Sequence, residues 1–88
     1  MNTNNLSIYV RNFHPKDQIY NHYFINNGKI EGELIEYYIN GFVRSKCNYI
    51  DGKLYGEFKQ FYNNSKLEIQ CIFNNNNILI GSLKSYNI

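Results

Sequence analysis

GKIEGELIEYYING (residues 28–41) returns further along the chain as GKLYGEFKQFYNNS (residues 52–65), every position displaced by 24. The displacement carries Gly28 onto Gly52, Gly32 onto Gly56, Tyr38 onto Tyr62 and Cys47 onto Cys71. A fixed period of this size marks stacked copies of one supersecondary unit, each burying its apolar side only with help from its neighbours. Working outward, Leu6, Val10 and Phe13 stand 24 residues before Ile30, Leu34 and Tyr37, and Ile25 stands 24 before Tyr49. Toward the C-terminus one extra residue in the run Asn74 to Asn77 lengthens the offset to 25. Leu79, Gly81, Leu83 and Tyr86 then fall on Leu54, Gly56, Phe58 and Phe61. The chain reads as one repeat domain over residues 1–88, with residues 1–5 a polar tail.

Turn signals punctuate the copies at Asn27-Gly28, Asn40-Gly41, Asp51-Gly52, Asn64-Ser65 and the Asn75-Asn76 region, alternately 13 and 11 residues apart. Asn-Gly and Asp-Gly supply the positive φ angles of a two-residue type I′ hairpin turn, whose twist matches the strands it joins. Asn64-Ser65 lacks the glycine and is expected to be the strained copy. Between the turns lie runs rich in Ile, Leu, Tyr and Phe with period-two character, the pattern of half-buried strands. Strands are expected near 6–13, 18–26, 29–39, 42–50, 53–63, 66–73 and 78–86. Pro15 sits in the first connection, where it removes no ladder hydrogen bond. The expected fold is all-β, a single-layer antiparallel meander of about seven strands. No segment reads as a helix, because the turns leave little room for one of normal length.

Alternation assigns two faces. Ile30, Gly32, Leu34, Glu36 and Tyr38 point one way, matched by Leu54, Gly56, Phe58, Gln60 and Tyr62; Val43, Ser45, Cys47, Tyr49 and Leu67, Ile69, Cys71, Phe73 join them as the core face. Gly32 and Gly56 fall in the middle of long strands, where glycine marks a bend or bulge. The opposite face is mixed, with Lys29, Glu31, Glu33, Ile35, Tyr37 and Ile39 on one copy. One position there is aromatic in every copy: Phe13, Tyr37, Phe61 and Tyr86. Aromatics favour strands and cross-strand packing. They are also enriched where proteins bind one another, which makes this row the candidate protein-binding site.

The pattern G-x-x-x-x-Y-Y-x-N-G, spelled by Gly32 to Gly41 and followed by Tyr49-Ile50-Asp51-Gly52-Lys53-Leu54-Tyr55-Gly56, resembles the variant MORN repeat. A weaker copy runs from Gly56 to Ser65, with Phe61 for the first Tyr and Ser65 for the closing Gly. The likeness covers residues from about 19 to 83. It implies an elongated antiparallel meander serving as a scaffold or protein-interaction module; similar short proteins are antitoxin-like, and other MORN proteins are linked to membranes. The motif contains no catalytic or metal-binding residue.

Composition narrows the function classes. The 88 residues are 43% hydrophobic with net charge +2, and no apolar run approaches the ~20 residues of a membrane-spanning helix. The opening MNTNNLSIYV is polar and lacks a cationic start, so no secretory signal is read and a cytoplasmic location is expected. Abundant Asn, Ile, Lys and Tyr suggest an AT-rich genome, bacterial or viral. Arg11, Lys29, Arg44, Lys46 and Lys53 are interleaved with Glu31, Glu33, Glu36, Glu57 and Glu68, which leaves no basic groove for nucleic acid and no cluster for anionic lipid.

Cys47 and Cys71 belong to strands separated by the strand from 53 to 63. Two ladder spacings put their Cα atoms ~9–10 Å apart, beyond the ~7 Å a disulfide spans. They are expected to be reduced core thiols. With His14 and His22 as the sole imidazoles and no C-x-x-C spacing, no metal site is read, and no cofactor. Neither histidine sits in a nucleophile–base motif. His14 occupies the Tyr38 and Tyr62 position, as a packed or edge residue would, and Glu33 and Glu57 are equivalent positions on a solvated row beside Lys59 and Lys84. The chain is therefore expected not to be an enzyme.

A one-layer sheet leaves its apolar face uncovered, whereas stable domains bury it against a second layer. The cover is a sheet curled onto itself, a second copy or a foreign protein. Two expectations follow: a non-enzymatic interaction module that self-associates through its sheet surface or edges, and, alternatively, an immunity or antitoxin protein that blocks a cognate toxin.

Overall fold

The computed structural model describes residues 7–74 and 84–85. The turn spacing becomes a ladder of strands: β1 (Ser7–Phe13), β2 (Ile19–Asn26), β3 (Lys29–Tyr37), β4 (Val43–Ile50), β5 (Lys53–Leu54), β6 (Gly56–Phe61), β7 (Leu67–Phe73) and β8 (Lys84–Ser85). β5 and β6 form one rung, parted at Tyr55 and both paired with β4. Seven rungs thus follow one another, every neighbouring pair antiparallel, in the order β1-β2-β3-β4-β6-β7-β8. The sheet is open and 53 × 38 × 11 Å in extent, one layer thick, since a second would add ~10 Å. The expected last strand from 78 to 86 is described only at Lys84–Ser85. The one helical element among the described residues is a single 3-10 turn at Pro15–Asp17, in which Lys16 and Asp17 both take positive φ.

The hairpins come in two kinds. At Asn27-Gly28 and Asp51-Gly52 both residues take positive φ (53° and 81°, 55° and 81°), the two-residue type I′ turn expected from the sequence. Asn40-Gly41 and Asn64-Ser65 correct that expectation. There only the second residue has positive φ, 92° for Gly41 and 75° for Ser65. The Gly41 amide donates to Tyr38 O (2.9 Å) and the Tyr38 amide to Phe42 O (2.9 Å), and Ser65 and Tyr62 repeat this with Tyr62 O (3.0 Å) and Lys66 O (2.8 Å). These are three-residue loops closed by one left-handed residue. The asparagine serves through its side chain instead. Asn40 Oδ1 accepts from the Phe42 amide and Asn64 Oδ1 from the Lys66 amide, each at 3.0 Å, a local turn that Asn favours.

Irregularities recur with the same period. Register shifts fall at Asn12/Phe13, Glu36/Tyr37 and Gln60/Phe61. A second set surrounds the two mid-strand glycines. From Phe24↔Glu31 to His22↔Ile35 the β3 side carries more residues than β2, and from Tyr49↔Leu54 to Lys46↔Lys59 the β5–β6 side carries more than β4. Gly32 and Gly56 sit in these bulges with φ of 86° and 80°. A Cβ at either position would meet nothing within 4 Å, so backbone conformation rather than space requires glycine there.

β4 confirms the faces. Its burial alternates strictly, with Ser45 and Cys47 buried while Arg44, Lys46, Asn48 and Ile50 are exposed. Leu34 pairs with Cys47 and Phe58 with Cys71, so the expected core residues share a face across the sheet. That core is thin. Among the described residues Cys47 and Cys71, both free and each 5% exposed, are the only buried apolar ones, and no large side chain is fully buried.

Candidate functional site

What positions this surface is a set of ties from each copy to the next. Tyr38 Oη donates to Phe61 O at 2.7 Å, Asn40 Nδ2 donates to Asn63 O at 2.9 Å, and His14 Nε2 donates to Tyr37 O at 2.9 Å. Each crosses 23 residues. His14 and Tyr38 are equivalent in the repeat, so the histidine takes the tyrosine's place in the tie, its flat ring delivering one hydrogen to a carbonyl of the following copy. At the opposite edge the two type I′ turns are joined, with Lys29 Nζ 3.1 Å from Asp51 Oδ1, the Asp51 amide donating to Glu31 Oε1 (2.9 Å) and the Gly52 amide to Ile30 O (3.2 Å). The Lys29 stem lies 3.4 Å from where a Cβ on residue 52 would stand.

Phe13, Tyr37 and Phe61 each occupy the first position past a bulge, at the ends of β1, β3 and β6; Tyr86 lies outside the described residues. The three share a position in the repeat without touching as rings. Phe13 is exposed. Tyr37 borders a shallow hollow with Gln18, Ile19 and Gly41, and Phe61 borders another with Gly41, Phe42, Val43, Lys46 and Ser65.

The aromatic contacts that do form lie across β1, β2 and β3. Tyr9 packs on Phe24 with ring centroids 4.9 Å apart and meets His22 edge-on at 5.9 Å. His22 lies 5.6 Å from Tyr37 and its Nε2 shares a 2.9 Å hydrogen bond with the Tyr37 hydroxyl. The Arg11 guanidinium stands 5.6 Å above the Tyr9 ring. Sequence reasoning did not single out Tyr9, His22 and Phe24 together. Only the β1–β2 register, Tyr9↔Phe24 and Arg11↔His22, brings them into one patch.

Beside this patch the mixed face is polar. Glu33, Lys46, Asn48, Glu57 and Lys59 line a small depression in which Lys46 lies 3.9 Å from Glu33 and Lys59 3.7 Å from Glu57. These side chains are well exposed, so their ion pairs contribute little to stability. On the core face Ser45 Oγ donates to Glu36 Oε1 at 3.3 Å and Cys47 Sγ lies 3.9 Å from Leu34 O.

Titration behaviour follows burial. The Cys47 thiol is pushed up to about 11, first by burial and then by the Glu36 carboxylate, against an opposing hydrogen bond from Tyr49. Burial also raises Cys71, Tyr49 and Tyr37. A thiol held protonated is a poor nucleophile and a poor metal ligand. Among the described residues no three His, Cys, Asp or Glu side chains gather as a metal site, and no helix is long and apolar enough to cross a membrane. What the described residues offer is contact area: one sparsely buried face, an aromatic patch and the outer side of β1, the end of the strand order. Comparison of the chain with protein-family models, curated proteins and solved structures returns no match.

Proposed function

We propose that this chain is a non-enzymatic protein-interaction module of the variant MORN type, acting inside the cell and completed by association with another copy of itself. The observation that carries the reading is the 11 Å thickness of the sheet together with a core in which only Cys47 and Cys71 are buried apolar residues among those described. Among the described residues a row such as Leu34, Cys47, Phe58 and Cys71 is sheltered by its strand neighbours alone. Covering it recovers ~25 cal/mol for each Å² of apolar surface removed from water, the usual driving force for association. The repeat architecture supports the same role, since stacked copies present extended surfaces that serve for binding. Charge supports it as well: pairs such as Glu33–Lys46 and Glu57–Lys59 are locally compensated, which suits contact with another protein better than a polyanion.

The test is sedimentation equilibrium or light scattering of the 88-residue chain at micromolar concentration. A dimer or larger species is expected. A folded chain that stays strictly monomeric refutes self-association.

A further inference from the structure

Resting on the self-association in that reading, we infer a joining surface distinct from the core face: the margin of β1, which pairs antiparallel with β1 of a second copy across a twofold axis and extends the sheet without covering its core face. The hairpin after β2 fixes which backbone groups are unsatisfied. Across a two-residue turn the flanking residues, Asn26 and Lys29, form a hydrogen-bonded pair, so Asn26 directs its amide and carbonyl toward β3. Ile25 then faces β1, where it pairs with Ile8. Alternation along β1 turns Ile8, Val10 and Asn12 toward β2 and leaves Ser7, Tyr9 and Arg11 with amides and carbonyls pointing outward. The same parity places the Asn48 carbonyl toward β5–β6, where it accepts from the Tyr55 amide at 2.9 Å.

Edges of this kind are normally blunted by Pro, Lys, an inward charge or a bulge in mid-strand. β1 reads SIYVRNF: it has no Pro, no Lys and no acidic residue, and its single bulge comes at its last step, Asn12/Phe13. Ile8, Tyr9 and Phe13 are large exposed apolar residues on this one strand. Among the described residues this margin has no strand paired to it.

The occupant follows from direction and self-complementarity. Seven antiparallel rungs make β1 and β8 run the same way, so copies stacked head to tail would meet as parallel strands. A twofold axis normal to the sheet joins β1 to β1 antiparallel and keeps both core faces on one side. Centred on Tyr9, this pairing sets Tyr9 against Tyr9 of the second copy and Ser7 against Arg11 of the second copy, using every outward amide and carbonyl from Ser7 to Arg11. Ile8 then lies beside Val10 of the second copy on one face. The two Arg11 side chains stay apart, so no like charges face each other. A second copy satisfies hydrogen bonding, apolar pairing and charge together.

The experiment compares the full chain with Arg11→Pro and Arg11→Ala by sedimentation equilibrium. Proline removes an outward amide and is tolerated on an edge strand; alanine removes the side chain and keeps the amide. Arg11→Ala, which loses the same side chain, sets the reference: Arg11→Pro is expected to bind at least about 10-fold more weakly than Arg11→Ala, with an unchanged circular dichroism spectrum. Association of folded Arg11→Pro as strong as that of Arg11→Ala overturns the β1 interface while the interaction reading stands, and a monomeric wild type overturns both. Amide exchange on the unmodified protein decides the matter if Arg11→Pro does not fold. Exchange at Ser7, Tyr9 and Arg11 is expected to slow as protein concentration rises, and exchange there that ignores concentration overturns the proposal.

Discussion

Replacing Ser65 by glycine should make the protein more stable, although Ser65 is exposed. Its φ of 75° is left-handed backbone, and its counterpart one copy earlier, Gly41, takes 92° in a loop closed by the same two hydrogen bonds. A residue with a Cβ loses about 1–2 kcal/mol in that conformation. Glycine returns part of the gain, about 0.4–1 kcal/mol, because its unfolded chain is more flexible. The net expectation for Ser65→Gly is about 0.5–1 kcal/mol of added stability, and for Gly41→Ser a similar loss. At about 4–8 °C per kcal/mol in a domain of this size, Tm should move by roughly 2–8 °C in opposite directions. Thermal unfolding followed by circular dichroism measures this, with all variants at one concentration because self-association makes Tm depend on concentration. The double variant should return near the wild type, since distant sites add. A Ser65→Gly variant that melts at or below the wild-type temperature, or a Gly41→Ser variant without loss, refutes the claim that the two loops are one structure with different residues.

The ties between copies predict that Tyr38→Phe, which deletes the hydroxyl donated to Phe61 O, lowers stability by about 0.5–1.5 kcal/mol. Urea unfolding should show a lower midpoint with unchanged slope, whereas His14→Tyr, which installs the residue of the later copies, should be close to neutral. For the thiols, Cys47 held at about 11 against an ordinary value of 9.0 means the folded state keeps a proton that the unfolded state releases. The resulting stability is full below pH 9 and is lost as pH rises toward 11, with burial of Cys71, Tyr49 and Tyr37 acting in the same direction. Midpoints of urea unfolding should therefore fall through this alkaline range. A thiol reagent at pH 8 should label both cysteines no faster than the sheet opens, and rapid labelling of the native protein would contradict their burial.

Much of the fold was legible because its period is written in residues with narrow conformational range. Asn27-Gly28 and Asp51-Gly52 admit few turns, and Gly32 and Gly56 marked bulges before any register was known. Asn40-Gly41 misled because one dipeptide serves two loops; whether Asn takes positive φ or bonds through its side chain depends on which flanking residues pair, here Tyr38 with Phe42. The candidate row was legible as a repeat position, with Phe13, Tyr37 and Phe61 alike one step past a bulge. The ring contacts were not. They arise from the pairing of β1 with β2, where the copy has diverged most and where His14 and His22 stand in for no conspicuous motif. The one usable signal was His14 at a tyrosine position, which read only as a packed or edge residue; the tie with Tyr37 O came with the structure.

Because each tie spans 23 residues and ends on the adjoining copy, no bond among them reaches past its immediate neighbour. Length is then a free variable of this design. Excising or duplicating one unit of 24 residues alters a single junction and leaves the others as they were, so a gene could lengthen or trim such a protein by whole units without having to reinvent its interior.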